Sequence, residues 1–544
     1  MGKILFPVTC VFLLIVGACS QPELKTRADD RFWKPDSASP FEVGTQIRPW
    51  TIHDEGMGYI LDNMQSMSAV NNLYLVVVMH EEHRPFQAPE FPHNPARDIF
   101  DAEDSRVSFF PEWERYGEIK PVLSDYPWIR ETDWLQLVID SCRARGLAVG
   151  AEVSHFPIPK SLIREHPDWQ QKTIEGKAWN TERFCPNNPL TTEYVVALFG
   201  DIAANYDVDY IQTCQLLYNN LDIDEGGTCF CRHCIEKAKS EGFDLEAAIP
   251  VLSKDKHAQP QRDQWIKFRT HSTTELYRLI SEKIKAENPN CQLRFNNVLP
   301  WGSKGDAIDF GMDVAAVAPY LGSLVNQDHT EQLGSENETF ELRKRWLTTN
   351  RELIGPRMHF VTGIAPRMAA TPELVREGIK VALEHPAHVN GLVLKHYDGA
   401  SFSLLRAFKQ GMIEGGVKNL TPTLGMETEE MELDNYTPFR EEFVEEWGVE
   451  TSGTGSARTV FKEPSGIYDI RITYFDQEGG HSLVQFYVAG EERAVFTMDE
   501  NMDCWRWRRF NNIYIRKGDE IRIVGVADGA ELAKLDFIEY IPRL

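Results

Sequence analysis

Apolar runs of about five to eight residues recur through the first three quarters of the chain. They are Gln46–Trp50, Leu73–Met79, Leu147–Val153, Tyr210–Leu217, Gln292–Asn297, Val314–Leu321, Met358–Ile364 and Gly391–His396. Several are rich in β-branched residues and almost unbroken by polar ones, as expected of strands covered on both faces. Between them, in Asp133–Arg145, Thr192–Asn205, Phe268–Glu287, Phe340–Leu353 and Thr371–Glu384, apolar residues return every three to four positions, the period of a helix with one buried face. Thr371-Pro372 offers an N-cap followed by a first-turn proline. Eight such alternations across residues 43–415 predict an α/β chain closed into a (β/α)8 barrel. The competing arrangement is a doubly wound open sheet. No G-x-G-x-x-G or G-x-x-x-x-G-K-[ST] follows any of these strands, so nucleotide binding finds no support.

The pattern changes after Gly415-Gly416. Residues 416–427 read as a linker. From 428 to 544, short alternating segments (Tyr468–Tyr474, Leu483–Val488, Asn512–Ile515, Glu520–Val524) are separated by turn residues such as Gly479-Gly480 and Lys517-Gly518. This spacing predicts an all-β sandwich. At the other end, Met1-Gly2-Lys3 precedes the apolar stretch Ile4–Val16, which is too short to span a bilayer and reads as a signal peptide over 1–18. Val16-Gly17-Ala18-Cys19 resembles the bacterial lipobox, which implies a lipidated Cys19 and a tether over 19–42. The expectation is an exported lipoprotein, facing the periplasm or the cell surface, that meets the membrane through its lipid alone; an ordinary secretory signal is the alternative. Asp and Glu total 82 against 57 Lys and Arg, a net charge of −25, which argues against a nucleic-acid partner.

Ten cysteines include three within six residues, Cys229, Cys231 and Cys234, with Cys185 lying 44 residues upstream of the first. That density suits one tetrahedral metal better than three disulfides, although an oxidising compartment keeps disulfides open. Cys214 or His233 are lesser candidates for a fourth ligand. Cys142, Cys214 and Cys291 fall in expected core elements. The set Cys185, Cys229, Cys231, Cys234 resembles the structural zinc cluster of glycoside hydrolase family 42 β-galactosidases, which implies four thiolates on a Zn²⁺ beside the fourth strand of a TIM barrel. Cys185-Pro186-Asn187-Asn188-Pro189, then Tyr206-Asp207-Val208-Asp209-Tyr210-Ile211-Gln212, is similar to a stretch of predicted family-10-like glycosyl hydrolases that enters and forms that strand. The likeness covers about residues 140–245. It departs where chemistry matters: strand four reads Thr213-Cys214-Gln215 followed by Asn219-Asn220, and the seventh ends Gly363-Ile364-Ala365. The two glutamates of family 42 are absent, so β-galactosidase activity does not follow.

In a barrel of this kind, chemistry sits at the C-terminal ends of the strands. Those ends supply His80, Glu81 and Glu82 after strand two, Glu152 and His155 at strand three, Asn297 after strand five, and His396, Tyr397 and Asp398 after strand eight. Cleaving a glycosidic bond takes one acid for the leaving oxygen and one base or nucleophile opposite. Glu152, in an otherwise apolar strand, is the candidate acid and Asp398 the candidate base or nucleophile. Glu81 or Glu82 could replace either, and His155 joins them. His80, Asn297, His396 and Tyr397 are candidate substrate contacts. The reaction needs no organic cofactor.

Glu430-Met431-Glu432-Leu433-Asp434-Asn435-Tyr436, the Gly466–Tyr474 strand and Leu535-Asp536-Phe537-Ile538-Glu539 resemble carbohydrate-binding modules of families 6 and 35. That resemblance implies a structural Ca²⁺ on Glu432, Asp434 and Asp536, and Trp505 with Trp507 as sugar platforms on a loop. The whole reads as a glycoside hydrolase acting on an oligo- or polysaccharide. Its rivals are a surface glycan-binding protein that has lost catalysis and a sialidase-like or lyase enzyme on the same barrel.

Overall fold

The computed structural model describes residues 40–79, 82–83, 91–95, 101–102, 104–178, 183–213, 216, 218, 222–297, 308, 311–331, 336–441 and 446–543. Cys19 and the expected signal and tether through residue 39 lie outside them, as do His80, Glu81 and Cys214. Among the described residues no helix is long and apolar enough to cross a membrane.

Eight parallel strands close on themselves. In chain order they are Glu42–Ile47, Asn72–Met79, Ala148–Val153, Tyr210–Thr213, Gln292–Asn297, Ser323–Asn326, His359–Ile364 and Gly391–Leu394. Each pairs with the next, and the first pairs with both the second and the eighth. Helices cover the outside, held at their starts as the sequence suggests. Asp133 accepts the Gln136 amide N–H, Asn188 caps the helix that opens on Pro189, and Thr371 caps the one that opens on Pro372.

Two strands differ from expectation. The first starts four residues earlier than predicted and stops at Ile47, because Pro49 opens a helix over Pro49–Glu55. The sixth is not Val314–Leu321. There Asp313 accepts the Ala316 amide and caps a helical turn, Pro319 sits in a 3-10 turn, and the strand follows at Ser323–Asn326. A short apolar run is ambiguous between helix and strand by periodicity alone; here the cap and the proline decide it.

Alternate residues of the strands fill the barrel in three levels. At the N-terminal end Glu42 takes two hydrogen bonds from Arg294 (2.7 and 2.8 Å), one from Asn72 (2.7 Å) and a contact at 2.6 Å with His359. Above it lies a thin apolar layer of Tyr74, Tyr210, Val325, Val361 and Val393. Gly150 makes room for the Tyr210 ring, since a Cβ there would lie 2.3 Å from it. The third level, at the C-terminal mouth, is polar.

The C-terminal region is a sandwich of two antiparallel sheets, with Val449, Ile470, Ile472, Val484, Phe486, Ile521, Ile523 and Ile538 between them. Its first strand, Gly425–Glu427, pairs with the last, Ala533–Pro542. One sheet packs on the barrel. Trp505 is 1% exposed, its amide donates to Pro92 O at 2.9 Å, and its ring lies between Phe439 and Phe475. Trp507 stacks on Tyr59 at 5.0 Å. The two tryptophans therefore belong to a strand, Cys504–Ile515, and to the barrel contact. Trp505 is not an open sugar platform.

Burial alone would raise the Glu42 carboxyl, yet Arg294 and His359 hold it below the usual range. Arg294→Met, which strands Glu42 without its guanidinium, is expected to lower unfolding free energy by about 3–5 kcal/mol in urea titrations. A depressed carboxylate stabilises above its unfolded value of about 4.3 and loses that contribution as pH falls through the folded value. The stability of the wild type should therefore fall in acid, and Glu42→Gln should flatten that slope.

Candidate active site

The mouth level is built by the inward-facing residues at the strand ends: Gln46, Glu152, Gln212, Asn296, Gln327 and Lys395. Glu152 is 7% exposed and accepts from two amides, Gln46 Nε2 to Oε1 at 3.2 Å and Gln212 Nε2 to Oε2 at 2.7 Å. Two residues on, in the extended residue between strand one and the helix Pro49–Glu55, Arg48 Nη1 reaches Asp398 Oδ2 at 3.4 Å. Residues two apart in extended backbone are separated by roughly 7 Å, so the end of strand one and the residue after it reach one candidate carboxylate each.

On the opposite side, Asn296 Nδ2 donates to Gln327 Oε1 at 2.8 Å and Gln327 Nε2 meets His329 Nε2 at 2.9 Å. The loop carrying His329 folds inward over strand seven because Gly363 has no side chain; a Cβ there would lie 2.6 Å from Asp328 O. Arg343 fastens that loop from the helix Glu336–Ile354, donating to Asp328 Oδ2 (2.7 Å), Thr330 Oγ1 (2.7 Å) and the Glu331 carboxylate. The His329 and His396 rings face each other at 6.0 Å. Burial, then the positive charges of Lys395, Arg367 and Arg343, push His329 down to about 3. Burial, then Arg367 and Arg48, push His396 well below its usual value.

Several expected contacts lie elsewhere. Asn297 points away from the barrel interior and donates to Asn350 Oδ1 at 2.6 Å. Tyr397 is fully buried toward the sandwich: its hydroxyl donates to Glu55 at 2.8 Å and accepts from Asn63 at 2.9 Å, and Asn63 in turn accepts from Trp507 Nε1 at 2.6 Å. His93 bridges Glu55 (3.1 Å) and Tyr397 O (3.2 Å). Burial disfavours a charged His93, but the neighbouring Glu55 carboxylate outweighs it and raises the imidazole. His155 follows strand three and packs its ring on Phe156. Glu82 belongs to a two-residue strand paired with Asp101–Ala102. Gln46, Arg48, Gln212 and Gln327 were not anticipated. The signal for the first two was present, since Gln46 and Arg48 share a face by the period of two.

Cys185, Cys229, Cys231 and Cys234 are all buried and free, with sulfurs within 4.8 Å of one another. Cys185 lies 3.5 Å from both Cys234 and Cys231. Four sulfurs about 2.3 Å from a tetrahedral ion lie roughly 3.8 Å apart, so the cluster could hold a metal such as zinc. The amides of Lys172 and Asn187 and the Asn187 side chain point N–H groups at three of the sulfurs. Burial pushes the Cys185 and Cys234 thiols well up, so four thiolates here need a cation to compensate them.

The calcium set does not converge. Glu432 and Asp434 are exposed, and Glu432 pairs with Arg458. Asp536 is buried and faces Arg406 of the barrel at 3.3 Å. Glu427 shares that guanidinium at 3.2 Å, and among the described residues the only metal-like grouping is the cysteine cluster.

No family model matches the chain. Over 137 residues it is 34% identical to "Probable alpha-glucuronidase A" of Aspergillus terreus and 35% identical to the protein of that name from Aspergillus niger; each match covers 22% of this chain and 16% of the relative. The chain thus spans about a sixth of the length of these curated relatives. Among solved structures, the glycoside hydrolase domain of PgaB (BpsB) from Bordetella bronchiseptica is 11% identical with a TM-score of 0.49, covering 70% of this chain and 100% of that one. A β-galactosidase from Bacillus circulans sp. alkalophilus is 12% identical with a TM-score of 0.44, covering 70% and 57%.

Elemental analysis of the purified protein is expected to find one equivalent of a thiophilic metal per chain. Cys231→Ser should release it and lower stability by on the order of 3 kcal/mol or more. Four thiols blocked as disulfides in the denatured, metal-free protein would exclude the metal cluster.

Proposed function

We propose that this chain is an exported, lipid-anchored glycoside hydrolase that cleaves a glycosidic bond of an oligo- or polysaccharide with Glu152 and Asp398. The observation that supports the reading is the end of strand one, where Gln46 bonds to Glu152 and the next-but-one residue, Arg48, pairs with Asp398. Glu152, buried between two neutral amides, carries the proton to the leaving oxygen. Asp398, paired with Arg48, acts on the anomeric carbon directly or through a water. The amides of Asn296 and Gln327 suit sugar hydroxyls, which both donate and accept. The segment likeness to alpha-glucuronidases supports chemistry on a glycosidic bond. A closed zinc site on the four cysteines serves the fold rather than the reaction, since all four positions of a tetrahedral ion are taken. The apolar run at 4–16 and Val16-Gly17-Ala18-Cys19 support export and lipidation.

A non-catalytic glycan-binding role is the second reading, favoured by the missing family 42 glutamates at strands four and seven. Reducing-end assay and mass spectrometry of products from a glycan panel separate the two. Wild-type protein is expected to release product, and Glu152→Gln and Asp398→Asn to lower the rate by about 10²–10⁴-fold with unchanged melting temperature. Glycan binding with no product from any member of the panel would sink the hydrolase and leave the binding protein.

A further inference from the structure

The hydrogen bonds beneath the turn that carries Asp398 begin in the other domain. An indole N–H can only donate, and Trp507 Nε1 donates to Asn63 Oδ1 at 2.6 Å. That settles which way the Asn63 amide points, so its Nδ2 faces the Tyr397 hydroxyl and donates to it at 2.9 Å. The hydroxyl donates its own hydrogen to Glu55 Oε2 at 2.8 Å. The same oxygen lies 3.1 Å from His93 Nδ1, and His93 Nε2 lies 3.2 Å from Tyr397 O. A peptide carbonyl only accepts, and so does an ionised carboxylate. Both ring nitrogens of His93 therefore need a hydrogen, and the ring is an imidazolium paired with Glu55, both side chains being fully buried. Each contact in the run has one direction, and the assignment starts from a tryptophan of the sandwich.

The run ends by gripping one residue at two places. Tyr397 is held at its hydroxyl by Asn63 and Glu55, and at its carbonyl by His93 and by the Ala400 amide at 3.1 Å. It opens the buried 3-10 turn Tyr397–Gly399, whose middle residue is Asp398. His93 also lies flat against Phe402, with ring centres 5.2 Å apart, and Phe402 begins the helix that follows the turn. A rotation of this turn would carry the Asp398 carboxylate away from Arg48, which it meets at 3.4 Å. Charge-assisted hydrogen bonds are the stronger kind and hold geometry accordingly. Not every bond between the domains leads here: Arg471 Nη1 donates to Ser66 Oγ at 2.8 Å, and that contact stands apart from the run.

We propose that Trp507 and His93 are positioning residues for Asp398, each acting through Tyr397, so that the sandwich is built into the barrel mouth rather than appended as a separable sugar-binding module. The proposal rests on Asp398 acting at the mouth, and it adds what holds that carboxylate in place.

Hydrogen exchange read by mass spectrometry on the full-length protein tests this without relying on turnover. Trp507→Phe keeps an aromatic ring against Tyr59 and loses the N–H. Tyr397→Phe loses one hydroxyl, and His93→Gln loses the second donor. Ser66→Ala removes a bond between the domains that does not lead to the turn. Amides of residues 397–402 are expected to exchange about tenfold faster in the first three variants and at the wild-type rate in Ser66→Ala. Amides of 148–153, around Glu152, should match the wild type in all four. On a glycan that the wild type cleaves, the first three variants should lower kcat about tenfold with KM within about twofold. Tyr397→Phe, the smallest change, carries the test should either of the others fail to fold. Wild-type exchange at 397–402 in Trp507→Phe and Tyr397→Phe, or equal acceleration in Ser66→Ala, would overturn the relay. Unchanged kcat in these variants of an enzyme that Asp398→Asn inactivates would overturn the positioning of Asp398. Faster exchange in them, with no product from the wild type on any glycan, leaves the relay standing and removes the hydrolase.

Discussion

The ion pair between Glu42 and Arg294, closed on its far side by His359, occupies the floor of a barrel whose interior is largely polar. Charges so deep persist only when each is met by an opposite charge and by enough hydrogen bonds. Here Glu42 collects Arg294, His359 and Asn72 from strands five, seven and two, while itself lying on strand one. One carboxylate thus fixes four strands to one another at the end opposite the polar mouth. A single apolar layer separates this floor from the mouth. The register set at the floor therefore determines where Gln46 and Arg48 stand, and through them where Glu152 and Asp398 stand. A slip of strand one by one residue would turn Glu42, Gln46 and Arg48 outward together.

The sandwich is bound to that arrangement rather than tethered beside it. Trp507 donates to Asn63, Asn63 to Tyr397, and Tyr397 to Glu55, with His93 returning to the backbone of Tyr397. Tyr397 immediately precedes Asp398, so a hydrogen-bonded chain runs from the second domain to the residue beside a candidate carboxylate. Arg406, on a barrel helix, is shared by Glu427 and Asp536 of the sandwich. Where the likeness to carbohydrate-binding modules implied calcium at Asp536, the barrel supplies a guanidinium to that side chain. The module's acidic residue has become part of a domain contact.

Much of this was legible in the sequence, and what was not has physical causes. Strands such as Asn72–Met79 announce themselves because both faces are buried and nearly every residue is apolar. Val314–Leu321 has the same composition, yet a cap at Asp313 and a proline at 319 turn it into helix. Glu152 as a strand-end carboxylate, and Asp398 just past strand eight, could be picked as candidates by position alone. Asn297 occupies a strand end too but points away from the mouth, because successive side chains alternate and a strand end does not specify a face, whereas Tyr397 lies beyond strand eight in the 3-10 turn Tyr397–Gly399. Gln46 and Gln212 acquire meaning only once the strands are in register, when two amides from different strands close on one carboxylate. Trp505 and Trp507 look like loop aromatics until the sheet they belong to is seen lying on the barrel.

Strand one is also the first barrel element the ribosome makes, and its partners come late. Thr45 bonds to Leu394, 349 residues further on, and Glu42 meets His359 at a separation of 317. Until strand eight exists the sheet has two open edges, and Glu42 has no complete set of partners to justify its burial. The barrel therefore cannot be assembled piece by piece from its N-terminus. Its floor closes only near the end of synthesis of the domain, when contacts of very long sequence separation form together, which places this fold among the slow and aggregation-exposed ones.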